Sequence, residues 1–182
     1  MSSLRYIYGD VTDPQLTQGE WDNPRPIVIP HVVNDAGVMG AGVAKALYTE
    51  WPNVKRDYLY NANTRGLLLC EVIGTIAIPG EIYVQSMVAQ STPGKWKTQR
   101  ITRTLESGQE FPYAVKRSPI RYGALAKCMI HVGTMARQVR ATIHAPRFGS
   151  DLAGGNWDVI ESLILELWVD RGINVTIYDY KG

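Results

Sequence analysis

A chain of 182 residues, 45% of them hydrophobic, is long enough to bury a sizeable core without disulfides, and its formal charge is only +2. The two cysteines, Cys70 and Cys128, each lie in an apolar segment and read as buried thiols of a reducing compartment, with a redox pair as the alternative. There is no basic-then-apolar leader and no run of about 18 apolar residues, so a spanning helix and a membrane partner are not expected and the protein is expected to be cytoplasmic.

In chain order, periodicity predicts strands over Leu4–Tyr8 and Ile27–Val33, then helices over Gly42–Glu50, ended by Pro52, and Val54–Asn61. Strands over Cys70–Ile78 and Ile82–Val88 are joined through Pro79 and Gly80 as a hairpin. Ser118 and Pro119 start a helix over Ile120–Arg137 whose buried stripe is Leu125, Cys128, Met129, Val132, Met135 and Ala136. A strand over Thr142–Ala145, a helix over Trp157–Arg171 and a strand over Asn174–Tyr178 complete the chain. In that last helix Asn156 is the N-cap, Gly172 the stop, and Ile160, Leu163, Ile164, Leu167 and Trp168 the core face. Strands alternating with helices give an α/β layered fold, and the hairpin makes its central sheet mixed. The whole of 1–182 reads as a single domain with an insertion or lid at about 91–117.

From Pro30 to Leu47, PHVVNDAGVMGAGVAKAL, an apolar strand breaks into a glycine-rich loop that opens into a helix. Gly37, Gly40 and Gly42 allow close backbone approach to a phosphate, and the helix N-terminus offers free N–H groups, so the pattern predicts an anion site. Asn34 and Asp35 end the strand where a sugar hydroxyl would lie, and His31 either faces the same crevice or is a satisfied core histidine. The segment Ala145 to Trp157, APRFGSDLAGGNW, repeats the strand, glycine loop and helix. Two such loops at the C-terminal ends of their strands could hold the two sides of a diphosphate. The order GVMGAG is not the GxGxxG of a dinucleotide-dependent dehydrogenase, and no GK[ST] supports a P-loop kinase.

Three segments in register, GDVTD at Gly9–Asp13, VNDAGVMGAGVAKAL at Val33–Leu47 and PRFGSDLAGGNW at Pro146–Trp157, make the chain resemble a macrodomain, the ADP-ribose-binding α/β module. The resemblance implies a three-layer α/β/α fold with a mixed central sheet. Within the family it is similar to the branch of ADP-ribose-1''-phosphate phosphatases and terminal ADP-ribose glycohydrolases. It implies that Asp10 accepts from the adenine amino group with the backbone of Val11 beside it, and that Asn34 contacts the distal ribose. The backbone of Gly40, Ala41, Gly42 and Val43 would hold one phosphate, and Ser150, Leu152, Ala153 and Gly154 would close over the diphosphate. The expected partner is ADP-ribose or ADP-ribose 1''-phosphate, free or attached to an ADP-ribosylated macromolecule.

The chain departs from the glycohydrolase pattern. Ala153 stands where an aspartate is needed, Gln90 where a lysine is needed, and Lys95 lies too far along. Asp151 replaces a glycine beside the diphosphate and is either a general base or a loop carboxylate. The leading expectation is therefore removal of the phosphate from ADP-ribose 1''-phosphate. The alternatives are a de-ADP-ribosylating hydrolase acting on protein or nucleic acid, and a binding module without turnover. In the phosphatase scheme loop amides hold the phosphates, Asp35 or Asp151 orients water, and His31 protonates the leaving sugar oxygen; Asn34 completes the candidate catalytic set. No cofactor is called for, and His31, His131 and His144 are too scattered to form a metal site.

Ser91–Arg121 carries seven basic residues against Glu106 and Glu110, a net +5 in a chain of net +2. It reads as a solvated insertion, a lid over the phosphates, or a nucleic-acid surface on which Trp96 could stack.

Overall fold

The computed structural model describes residues 2–91, 97–150 and 153–180. A six-stranded sheet in the order β1-β8-β7-β2-β4-β3 forms the middle layer. Its strands are β1 (Leu4–Tyr8), β2 (Ile27–Asn34), β3 (Val72–Ile78), β4 (Ile82–Gln90), β7 (Thr142–Pro146) and β8 (Val175–Asp179). All neighbours are parallel except β3, which returns antiparallel on β4 through the Pro79–Gly80 turn, as the sequence predicts. The C-terminal ends of the parallel strands therefore share one edge, and the segments after β1, β2, β4 and β7 all emerge there.

Side-chain alternation divides β2 between two layers. Ile27, Ile29 and Val33 pack under α2 (Gly42–Glu50) and α3 (Pro52–Arg65), whereas Val28 packs under α4 (Tyr122–Gln138) and α5 (Trp157–Ile164). The stripe predicted for α4 is buried at Leu125, Cys128, Met129, Val132 and Ala136. Trp168, fully buried, donates its indole N–H to the Met129 carbonyl (2.8 Å), locking the C-terminal helix against α4.

Several boundaries differ from the sequence reading. Cys70 lies outside β3 in a turn with φ +80°, and it is half-buried where a buried thiol was expected; both cysteines are free. The helix expected over Val54–Asn61 is α3, begun by Pro52 at its first turn and continued to Arg65. The helix expected from Ile120 begins at Tyr122, because Ile120 is held in a bridge to Gln90 and the Ser118 hydroxyl donates to the Ala153 carbonyl (2.6 Å) instead of capping. The last helix is α-helical only to Ile164, and Leu165–Val169 form a wider π turn.

Two elements are additional. Helix α1 (Gln18–Asp22) is held by a capping box in which the Thr17 hydroxyl accepts from the Glu20 N–H while the Glu20 carboxylate accepts from the Thr17 N–H. Glu20 also reaches the buried His144 on β7 (Nε2 to Oε1, 3.1 Å), whose Nδ1 meets the Tyr178 hydroxyl at 2.8 Å. Burial lowers the His144 pKa, and the neutral tautomer that suits both partners donates Nε2–H to the carboxylate and accepts from Tyr178 at Nδ1. The Tyr178 oxygen in turn accepts the Gln15 N–H (2.8 Å), tying the segment after β1 to the sheet. The insertion is not shapeless. Strands β5 (Lys97–Thr104) and β6 (Glu110–Arg117) pair as an antiparallel ribbon, while Lys95 and Trp96 lie outside the described residues.

Candidate functional site

At the C-terminal edge of the sheet lies a cavity of about 360 Å³, within the size range of small-molecule sites. Its floor is the end of β2, His31 to Asn34, with Gln90 of β4 beside it. One wall is the loop and first turn of α2, Val38 to Ala44, and the facing wall is Pro146 to Gly149 with Ala153. The two glycine loops thus face each other across one cavity.

The first wall is shaped by Asn34. Its Oδ1 accepts from the Ala36 and Val38 amides (3.0 and 3.2 Å), and its Nδ2 donates to the Val38 carbonyl (2.5 Å). The Tyr58 hydroxyl from α3 donates to the Asn34 carbonyl (2.8 Å), fixing the strand end from behind. Gly37 at φ +72° and Gly42 at φ +56° make the two sharp bends of this loop. No side chain caps the first-turn amides of α2 at its N-cap Ala41, and the residues of that turn line the cavity. A Cβ at Gly40 would meet nothing within 4 Å, which leaves open space over the same turn.

The facing wall is cinched by the Gly155 amide donating to the Gly149 carbonyl (2.8 Å). Helix α5 is capped by its own Asn156, which accepts from the Asp158 N–H (2.8 Å). The two walls are therefore not equivalent: only α2 presents an N-terminus without a side-chain cap.

Of the residues singled out in the sequence, the structure brings His31, Asn34, Gly40, Ala41, Gly42, Val43 and Ala153 together at the cavity. Asp35 is not among the residues lining the cavity and lies close enough to Tyr58 to help raise that phenol, which burial pushes up to about 12. Ser150 and Gly154 flank the facing wall without lining it. Asp10 and Val11 follow β1 on the same edge. Val11 is buried, and Asp10 Oδ1 accepts from the amide and hydroxyl of Thr12 (2.9 and 2.8 Å). Asp151 and Leu152 lie outside the described residues.

His31 is both a core residue and part of the cavity floor. It is 1% exposed, its Nε2 stands 2.8 Å from the Ser86 hydroxyl, and its Nδ1 has no partner among the described residues. Burial lowers its pKa to about 4, so near neutral pH the ring carries no extra proton.

Sequence reasoning missed Val38, Met39, Arg147 and Phe148, all of which line the cavity. Arg147 pairs with Asp179 and lies over the rings of Tyr6 (5.5 Å) and Trp157 (5.0 Å), which hold the cation at the rim. Its signal was an arginine inside the glycine-loop segment; the glycines drew the reading to the backbone instead.

No family model matches the chain. It is 28% identical over 99% of its length to Chromodomain-helicase-DNA-binding protein 1-like of Danio rerio, of whose length it spans only 16%. A macrodomain protein from Streptomyces coelicolor superposes with a TM-score of 0.72 at 26% identity, covering 98% of this chain and all of that one. DarTG of Thermosipho africanus, in complex with ADP-ribose, superposes over the whole of this chain and 42% of its own, with a TM-score of 0.68 at 13% identity.

Proposed function

We propose that this chain, a macrodomain by its fold and by its full-length similarity to a known macrodomain, binds ADP-ribose with a phosphate on the first turn of α2. The observation that carries the reading is the uncapped N-terminus of α2, opening into a cavity between two glycine loops. Its amides and the helix dipole supply a preformed anion site. The distant relative from Thermosipho africanus was solved with ADP-ribose, the ligand class this arrangement suits. Asp10 stands after β1, three strands from β2 in the sheet order, or about 14 Å at strand spacing. A ligand lying across the strand ends would place its adenine toward Asp10 and its distal ribose toward Asn34, with the diphosphate between them.

The finer reading is hydrolysis of ADP-ribose 1''-phosphate. Water attacks phosphorus and gives up a proton to a carboxylate, the P–O bond to the sugar breaks, the leaving sugar oxygen takes up a proton from solvent, and the α2 amides hold the charge that develops on the phosphoryl oxygens. Asp151 is the carboxylate assigned to the attacking water, because Asp35 is not among the residues lining the cavity. One observation favours a second reading, binding without turnover: among the described residues no carboxylate lines the cavity, and the imidazole on its floor is neutral.

A phosphorus NMR time course with ADP-ribose 1''-phosphate separates the two. Growth of inorganic phosphate, lost in Asp151→Asn, supports the phosphatase. Diphosphate signals that shift or broaden without turnover establish the binder.

A further inference from the structure

The β5–β6 ribbon is absorbed by neither reading, since none of its described residues lines the cavity. It rises from the end of β4, rooted where Ser91 donates its amide to the Pro119 carbonyl (3.1 Å) and Ile120 bridges Gln90. Beyond that root its strands pair with each other and with no strand of the main sheet. An isolated two-stranded ribbon is marginal in water, and one that projects with apolar groups uncovered invites a partner.

The register defines its faces. Ile101 stands opposite Tyr113 and Arg103 opposite Phe111, so these four side chains share one face. The Arg103 guanidinium lies 5.6 Å from the Tyr113 ring centre, as a same-face diagonal pair requires. Phe111 and Tyr113 are 44% and 41% exposed. Arg100, on the opposite face, is exposed as well. Seven basic and two acidic residues fall between Ser91 and Arg121, so the rest of the chain carries a net −3. Of these, Lys97, Arg100, Arg103, Lys116 and Arg117 belong to the ribbon against Glu106 and Glu110, so the ribbon that presents two open rings carries a net +3.

We propose that this ribbon is a docking surface for single-stranded nucleic acid, whose bases stack on Tyr113 and Phe111 and whose phosphates pair with Arg103 on the same face. The charge selects a polyanion, and the open rings select one with unpaired bases, since a duplex keeps its base faces stacked internally. Because Arg103 shares the face of Phe111 and Tyr113, one strand can meet the rings and the cation together. The proposal does not depend on what the cavity binds.

The test is fluorescence anisotropy with a labelled oligothymidine of about 15 nucleotides, the upper footprint of such sites, with salt varied between about 50 and 200 mM. The wild-type protein binds, and its affinity falls as salt rises. Tyr113→Ala lowers affinity at least about fivefold, Tyr113→Phe retains it because the stacking face is kept, and Arg103→Ala lowers it and flattens the salt dependence. ADP-ribose affinity, measured on the same preparations, stays unchanged in all three variants and shows that the domain is folded. Absence of oligonucleotide binding by the wild type overturns the proposal. So does an unchanged affinity in Tyr113→Ala, or equal binding of poly-glutamate, which would mark the ribbon as a surface for acidic protein.

Discussion

Gly155 donates its amide to the Gly149 carbonyl at 2.8 Å, and a Cβ on Gly155 would stand 2.5 Å from that same oxygen. The contact closes the loop that forms one wall of the cavity, and only a residue without a side chain permits it.

Gly155→Ala must therefore push the second loop apart, because the obstructing atom is backbone and cannot rotate away. The expected cost is about 1–3 kcal/mol in urea unfolding, together with weaker ADP-ribose binding. Unchanged binding would mean that this wall contributes nothing to the site.

The Glu20 side chain holds α1 to the sheet through His144. Glu20→Ala leaves a buried imidazole N–H without its acceptor and removes half of the capping box, so a loss of about 1–3 kcal/mol is expected. Amide hydrogen exchange should show the damage concentrated in 15–22, the segment joined to His144 and Tyr178. Uniform loss of protection would instead indicate a general core defect.

Stability should fall in mild acid. His31 titrates near 4 when folded and near 6.5 when unfolded, so below 6.5 the unfolded chain takes up a proton that the folded one refuses. Its contribution is complete above pH 6.5 and is lost progressively down to about 4, amounting to about 3 kcal/mol. His144, whose pKa is also lowered by burial, acts in the same direction. Burial raises the Glu20 pKa, but the hydrogen bonds from Thr17 and His144 outweigh that and hold it at about 2, so its contribution fades only between 4.5 and about 2. Urea midpoints of wild type and His31→Phe across this range provide the check: the variant should show a shallower loss between pH 6.5 and 4.

Gly133 lies in α4 where a Cβ would come within 2.8 Å of the Trp168 ring and 3.2 Å of the Leu167 carbonyl. The indole is buried and hydrogen-bonded, and so cannot move aside cheaply. Gly133→Ala should lower stability by about 1–3 kcal/mol despite the better helix propensity of alanine. A stabilised variant would show that α4 and the C-terminal helix are loosely packed.

The legible parts of the fold were those where burial dictates pattern. Ile27–Val33 and Ile82–Val88 are nearly continuous apolar runs because both of their faces are covered, and the α4 stripe repeats at helical spacing. Helix α1 escaped because QGEWD has no apolar face; its stability comes from the Thr17–Glu20 box, visible as T-x-x-E, and from a tie to His144 more than 120 residues away. The ribbon escaped because Pro112 and Gly108 read as breakers. In a two-stranded ribbon each strand has a free edge that tolerates proline, and Gly108 at φ +80° sits in the connecting turn. At the site, the glycine loops were legible because their requirement is backbone geometry. That Asp35 is not among the lining residues was not, since a strand end does not reveal which way its next side chain turns.

The most direct test of the account is calorimetric titration of ADP-ribose into wild type and Gly40→Glu. Gly40 has open space where a Cβ would go, so the variant should fold normally while placing a carboxylate over the α2 amides. The account predicts measurable binding by the wild type and at least about a tenfold loss in the variant, or about 1.4 kcal/mol. Wild-type affinity retained in a folded Gly40→Glu protein would contradict the placement of the phosphate on α2.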